Sequence, residues 1–384
     1  MHKDTKAGTI PFNKPYVDRR VFAYLEQVFE SGKIGGDGPM CKSVEKQLCE
    51  MFGMKHALLT TSCTHALEMG MMMLDMKPGD EVITPSFTFV TTANAIVRGG
   101  GKPVFCEIND RTLTVDVGDF EKKITKKTRG VIPVHYAGVS AEMDEILEIA
   151  KAHNLFVFED AAQGVDATYK GRYLGTIGDA GAYSFHDTKN YVSGEGGTFV
   201  TNTESVARRA EIIREKGTNR ANFLRGEVDK YTWVDRGSSY VLSDILAAVL
   251  KCQLDLVGEI RDRRRQVYTM YLEGLRDLHE DEKLRLPVIP EHCESNYHIF
   301  HVLLPSEDQR NRLMTKLKSY GIGATFHYVP LHSSPYAQRT LGTKDLRLPT
   351  TDRVSSTLLR LPIYPHLEDD DVHYVVEKVR EILK

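Results

Sequence analysis

The chain has 384 residues, enough at roughly 150 residues per domain for two domains with substantial cores. Its 50 Lys and Arg against 53 Asp and Glu leave a formal net charge of -3, so no cationic surplus marks out a nucleic-acid backbone or an anionic membrane as partner. Hydrophobic residues at 41% and charged residues at 27% exclude a disordered or low-complexity chain.

In chain order, residues 1–15 hold no apolar run long enough for a signal segment. No later stretch approaches the roughly 18 apolar residues of a membrane span. A soluble protein of the cytoplasm is expected. The six cysteines, Cys41, Cys49, Cys63, Cys106, Cys252 and Cys293, form no Cys-x-x-Cys pair, so free thiols are expected and no metal site.

Between about residues 57 and 202 short apolar runs alternate with turns and helical periods, the pattern of βα units in a mostly parallel sheet. The runs fall at 57–60, 81–85, 103–108, 130–134 and 155–160. Being continuously apolar, they predict strands buried on both faces. From Asp244 the spacing of Leu242, Ile245, Leu246, Val249 and Leu250 predicts one long helix reaching toward Leu275. Beyond it, an apolar run at 298–304, a helical stretch at 308–317 and a further run at 324–328 predict a smaller α+β domain. The division is placed at 1–250 for the large domain and 251–384 for the small one.

The chemistry concentrates in two places. Asp160 ends the run 155–160 and so stands at the carboxyl edge of a parallel sheet, where open α/β folds place their ligands. Lys189 follows within Ser-Phe-His-Asp-Thr-Lys-Asn (184–190), just before Ser-Gly-Glu-Gly-Gly (193–197). A lysine and a strand-end aspartate are the pair a pyridoxal phosphate enzyme requires: the lysine to bond the cofactor aldehyde, the carboxylate to keep the pyridine nitrogen protonated. The cofactor phosphate needs amides and hydroxyls at a helix start, which residues 60–67 supply after the first strand, with Ser184 adding a hydroxyl. Each feature alone has a plainer structural use. Asp160 could cap a turn, Lys189 could be a solvated charge, residues 60–64 an N-cap, Phe89 core and Gln163 a backbone cap. Their order and spacing together select the cofactor site.

These stretches resemble a known family, the sugar aminotransferases of the aspartate-aminotransferase fold (fold type I) that act on nucleotide-linked keto sugars. The resemblance runs from Ile-Pro-Phe-Asn (10–13) and residues 31–38 to residues 321–332. It is strongest at 85–95, at Phe-Glu-Asp-Ala-Ala-Gln (158–163), and at 184–190 with Gly-Glu-Gly-Gly. Within the family the chain is most similar to dTDP-4-amino-4,6-dideoxygalactose transaminase, through residues 136–144 and 212–220.

The resemblance implies an α/β protein with a large, mostly parallel-sheet domain and a smaller α+β carboxyl-terminal domain. It implies pyridoxal 5'-phosphate as cofactor, with Lys189 as its Schiff-base lysine, Asp160 on the pyridine nitrogen and Gln163 beside the 3-hydroxyl. Cys63, Thr64 and Ser184 are implied to hold the phosphate and Phe89 to stack on the ring. Two positions depart from the common pattern: Cys63 stands where many members have Gly, and Val241 where many have an Asn that reaches the partner's phosphate. Glutamate is implied as amino donor, a nucleotide-linked keto sugar such as dTDP-4-keto-6-deoxyglucose as acceptor, and a homodimer with shared sites as the assembly.

His327 and Tyr328 are candidates for the sugar pocket. The polar stretch 214–220 ending in Arg220, with Arg225 and Lys230, is a candidate for the nucleotide diphosphate, its alternative being a solvated helix face. Sugar dehydratases on the same scaffold carry histidine in place of the lysine, so Lys189 favours transamination. A non-catalytic sugar-nucleotide-binding regulator would be expected to have lost Lys189 or Asp160, and both are present.

Overall fold

The computed structural model describes residues 9–384. The reading of the first residues as lacking a signal segment therefore falls in part on residues outside the described ones. A seven-stranded sheet organises the chain, in the order His56–Thr60, Gly197–Thr201, Ala180–Ser184, Phe156–Asp160, Thr128–Val131, Glu81–Pro85 and Lys102–Cys106. Gly197–Thr201 runs antiparallel to both of its neighbours, and the remaining pairs are parallel. The parallel strands thus end at one edge, where Thr60, Pro85, Asp160 and Ser184 stand together in the topology.

The apolar runs of the sequence became these strands because both faces of the sheet are covered. Two strands, Ala180–Ser184 and Gly197–Thr201, fall outside those runs. Ala180–Ser184 is built from small residues, yet all five are buried. Small size is what its position requires: a Cβ added at Gly181 would stand 2.3 Å from the carbonyl oxygen of Gly175.

The helix expected from Asp244 to Leu275 is interrupted. Asp244–Leu254 ends and Val257–Gly274 begins after Leu256, whose φ of -109° and ψ of 7° leave the helical region. Apolar residues continue on both sides of the break, which is why the periodicity looked unbroken. The run at 324–328 is likewise not a strand. It makes one antiparallel bridge, Thr325 to Arg360, and otherwise follows the wall of a cavity described below.

Toward the carboxyl end, Phe300–Leu303 pairs antiparallel with Leu358–Leu361. Val267, Tyr271, Phe300, Val302, Leu313, Leu359, Val375 and Val379 form an apolar cluster around this hairpin-like pair. Ile10 joins that cluster, because its amide donates to Gly321 O at 2.8 Å and its carbonyl accepts from Gly323 N at 2.8 Å. The amino-terminal arm is thereby tied to the far end of the chain. Among the described residues no helix is long and apolar enough to cross a membrane. All six cysteines are free.

The first strand is anchored by buried charge. Glu45 accepts from Leu59 N at 3.0 Å and from Arg214 Nη1 at 2.6 Å. Arg214 also donates to Leu59 O at 3.2 Å and, through Nη2, to Asp37 at 2.8 Å. Lys42 also pairs with Asp37 at 2.6 Å and with Glu45 at 2.9 Å, so removing Arg214 leaves the carboxylates only partly compensated, at a cost of about 1.5–3 kcal/mol. Arg214→Ala is therefore expected to lower the unfolding midpoint in urea by that order, whereas a loss below about 1 kcal/mol would show that the pair contributes no more than an exposed one.

Candidate active site

The floor of the site is a helix start. Strand His56–Thr60 turns at Ser62 into helix Cys63–Met72, and the Ser62 hydroxyl accepts from His65 N at 3.2 Å. The first amides of a helix have no acceptor inside it and gather positive potential. Those of Cys63 and Thr64 are brought to the sheet edge because Gly197 lets the neighbouring strand pass close beneath. A Cβ at Gly197 would stand 2.3 Å from Cys63 N. Ser184, at the end of its own strand and 5% exposed, adds a hydroxyl at the same edge.

Asp160 ends its strand 4% exposed. Its Oδ2 accepts from the Thr92 hydroxyl at 2.7 Å and its Oδ1 from Ala162 N at 3.2 Å, so the carboxylate is fixed by both oxygens. Thr92 in turn shares a 2.9 Å hydrogen bond with Thr88. Thr92 lies within the stretch 85–95 of the sequence, but nothing local signals its contact with a residue 68 positions later.

Lys189 follows the turn closed by its own amide, which donates to His186 O at 2.9 Å. The residue is half-buried and its amine is enclosed by protein atoms. Burial pushes the amine below the usual lysine range, against the opposing pull of Cys63 and Asp160, and Arg360 lowers it further. Lys189 makes no ion pair with a carboxylate among the described residues.

The opposite wall is aromatic. Gln163 accepts from Ala137 N at 2.7 Å and donates to the Tyr328 hydroxyl at 2.9 Å. Tyr328 stacks on His327 with ring centroids 3.5 Å apart, and His327 Nδ1 lies 3.1 Å from the Tyr136 hydroxyl. Burial drives His327 well below the ordinary histidine range and the Tyr328 and Tyr136 hydroxyls well above theirs. These groups are neutral hydrogen-bonding surfaces at physiological pH. Phe89 borders the cavity 57% exposed, its ring 6.5 Å from that of Tyr328.

The cavity measures about 380 Å³, opens to the surface, and is lined by Cys63, Thr64, Phe89, Asp160, Gln163, Ser184, Lys189, His327 and Tyr328 together. Of the residues singled out in the sequence, Arg220 is not brought there. It opens the short helix Arg220–Leu224, away from the cavity lining. Arg225 is paired with Glu211 and Glu227 and Lys230 is exposed, which is the solvated-face alternative. Val241 bridges to Thr60 and packs on Gly36, where a Cβ would approach it to 2.6 Å. The sequence gave no site role to Arg264, Arg360, Phe12 and Asn13, which also line the cavity; they come from segments remote from Asp160 and Lys189 in the chain. No group of His, Cys, Asp and Glu suited to a metal ion occurs among the described residues.

The family profile of the DegT/DnrJ/EryC1/StrS aminotransferases matches residues 15–380. The chain belongs to this sugar-aminotransferase family. The aminotransferase is 35% identical over 383 residues to the spore coat polysaccharide biosynthesis protein SpsC of Bacillus subtilis, covering 98% of this chain and 97% of that protein. Its structure resembles the aminotransferase TlmJ of Streptoalloteichus hindustanus, with a TM-score of 0.90, 30% identity and coverage of 98% and 99%. It also matches the PLP form of Spr1654 from Streptococcus pneumoniae, with a TM-score of 0.89, 26% identity and 98% coverage of each chain.

The fold is that of the fold-type I enzymes, and the cofactor of the aminotransferase is pyridoxal 5'-phosphate. The donor set fits it: an enclosed amine without a carboxylate partner, an edge aspartate fixed by two donors, and a helix start with hydroxyls beside it. Lys189 would bond it, Asp160 face its ring nitrogen, Cys63, Thr64 and Ser184 hold its phosphate, and Phe89 cover its ring. Gln163 already links Ala137 and Tyr328 and would meet the 3-hydroxyl with its remaining N–H.

Two outcomes test this geometry. Covalent uptake of pyridoxal phosphate by the stripped protein needs a neutral amine, so its rate should rise with pH to a midpoint below 10.5, the value of an ordinary lysine. Because Asp160 raises the amine, Asp160→Asn should move the midpoint lower still, and an upward move would contradict the placement. Thr92→Val removes one charged hydrogen bond, and kcat should fall on the order of tenfold with the fold intact.

Proposed function

We propose that the aminotransferase moves an amino group from glutamate to the keto carbon of a nucleotide-linked deoxysugar. The acceptor in this reading is dTDP-4-keto-6-deoxyglucose and the product a dTDP-4-amino-4,6-dideoxyhexose, used for cell-surface polysaccharide. The observation that carries it is Lys189: a lysine, not a histidine, with its amine enclosed beside Asp160 in the cavity. The name of SpsC, a polysaccharide biosynthesis protein, supports the sugar and its use. The likeness of residues 136–144 and 212–220 to dTDP-4-amino-4,6-dideoxygalactose transaminase supports the base and the ring position. Six free thiols suit the reducing cytoplasm.

Bound pyridoxal phosphate supplies an electron sink for the charge left when a C–H bond beside nitrogen breaks. The chain supplies the rest. The Lys189 Nζ, once released, is a base whose burial favours its neutral form; it would take the proton from the donor's Cα and deliver it, on the same face, to C4′ of the bound cofactor. Asp160, fixed by Thr92 and the Ala162 amide, gives the ring nitrogen an oriented acceptor. Tyr328 and His327 present hydrogen bonds to a sugar while their rings exclude water. In the second half the same lysine works in reverse on the sugar ketone.

A homodimer is part of the proposal. Phe22, Phe29 and Ile34 are 63%, 60% and 53% exposed, on and just beyond helix Val21–Glu30, and apolar residues so grouped suit an interface with a second copy.

The deciding assay gives the enzyme glutamate and a panel of dTDP- and UDP-linked 3-keto and 4-keto sugars, with the product identified by NMR. Amino sugar and 2-oxoglutarate in equal amounts from the dTDP-linked 4-keto-6-deoxy sugar are expected. A water-eliminated sugar without 2-oxoglutarate would mean a dehydratase instead.

A further inference from the structure

The segment that carries His327 and Tyr328 runs from the carboxyl-terminal strand pair to the edge of the large sheet. At its start Thr325 exchanges two backbone hydrogen bonds with Arg360, of 3.2 and 2.8 Å, and the Arg360 guanidinium lies over the ring of Phe12 at 4.6 Å. The Tyr328 carbonyl accepts from the Ser355 hydroxyl. At its far end the segment meets Ser86, the residue after strand Glu81–Pro85. The Ser86 carbonyl accepts from Leu331 N at 3.0 Å and its hydroxyl from His332 N at 3.0 Å, while Ser86 Oγ lies 2.8 Å from His332 Nδ1. Between the two ends Phe326 and Val329 are exposed. The place of the His327–Tyr328 wall therefore depends on how the ends of the segment are held.

A serine, a histidine and an aspartate follow one another here, for His332 Nε2 lies 3.4 Å from Asp352. The set is not a nucleophilic triad: Ser86 is 0% exposed, and a substrate has no access to its oxygen. The direction of each hydrogen bond is nevertheless fixed. Ser86 Oγ already accepts from the His332 amide, so its own proton goes to His332 Nδ1, and the single proton of the ring stands on Nε2 toward Asp352. His332 is neutral in this arrangement. Burial lowers it from the ordinary histidine value, with Arg347 acting the same way and Asp352 and Glu107 opposing. Glu107 is itself held by the amides of Thr350 and Thr351.

We propose that the Ser86–His332 pair positions the His327–Tyr328 wall and thereby sets how well the acceptor sugar fits the cavity. This rests on the reading of that wall as the sugar's. Ser86 is followed by Phe87, whose ring meets those of Tyr136 and Tyr328 at 5.1 and 5.5 Å, and then by Thr88 and Phe89 of the cavity lining. One residue thus ties the two sides of the cavity mouth together. Asp160, Lys189 and Cys63 are carried by other segments, so loosening the tie leaves the donor half of the reaction in place. Leu331 stays packed with Ala93, Phe105 and Leu348, so the fold survives loss of the hydroxyl. A protonated His332 has no lone pair on Nδ1 to receive the Ser86 proton, and the tie weakens in acid.

The test sets the KM for dTDP-4-keto-6-deoxyglucose, or for whichever keto sugar of the panel the wild type aminates, beside the loss of colour of the yellow holoenzyme on L-glutamate alone. Ser86→Ala should raise the sugar KM about threefold to tenfold, with half-saturating glutamate within about twofold and the circular dichroism of wild type. In wild type the sugar KM should rise as pH falls through a midpoint below 6.5, the value of an ordinary histidine. Ser86→Ala should lack that rise. His332→Asn, whose amide oxygen accepts at every pH, should lack it too while keeping a KM near that of wild type. An unchanged sugar KM in Ser86→Ala overturns the proposal. A loss shared equally by glutamate and sugar also overturns it and assigns the pair to the fold alone, as does an acid rise of KM that persists in Ser86→Ala. Wild-type enzyme that aminates no sugar of the dTDP- and UDP-linked panel defeats the acceptor reading itself, and this proposal with it.

Discussion

A lysine that must act as a neutral amine cannot stand where water surrounds it or a carboxylate pairs with it, and the candidate site is arranged around that constraint. Burial lowers Lys189, and the nearest fixed acid, Asp160, has both carboxylate oxygens engaged by Thr92 and the Ala162 amide. The acid is therefore held for another partner, which we propose is the ring nitrogen of the cofactor. Were Asp160 free to swing into an ion pair, the lysine would be held as ammonium and both proposed roles would be lost together.

The sheet is what makes such an arrangement buildable. Parallel strands deliver Thr60, Pro85, Asp160 and Ser184 to one edge, and the two tight glycine contacts, Gly181 on Gly175 and Gly197 on Cys63, bring neighbouring segments closer than any side chain would allow. The buried Arg214–Glu45–Asp37 group grips the strand that leads to the helix start. The opposite wall comes from the carboxyl-terminal part of the chain, with His327, Tyr328 and Arg360, and from the arm at Phe12. The two walls of the cavity thus come from segments far apart in sequence, and the cavity exists only where they meet.

That separation explains what could be read in advance. Runs such as 81–85 and 155–160 were legible as strands because a strand covered on both faces must be apolar throughout, and Asp160 was legible because it ends such a run. Ala180–Ser184 carried no apolar signal, since crowding there selects small residues. The break at Leu256 was hidden by apolar residues continuing on either side. The run at 324–328 looked like a strand by its apolar and aromatic content, but His327 and Tyr328 line the cavity and only Thr325 bridges to a strand. Thr92 and Arg360 were beyond reach: nothing near them in sequence names Asp160 or Phe12 as the neighbour. Arg220 and Arg225 had the right charge for a diphosphate but do not line the cavity of this chain, and Arg225 is held by Glu211 and Glu227.

The central claim is that Lys189 is the residue to which the cofactor is bonded, and one measurement reaches it without any knowledge of the sugar. Reduction of the holoenzyme with borohydride makes the cofactor–lysine linkage permanent, and peptide mass spectrometry then locates it. The modification is predicted on the peptide containing Lys189 alone. Its appearance on any other lysine, with Lys189 unmodified, would contradict the account.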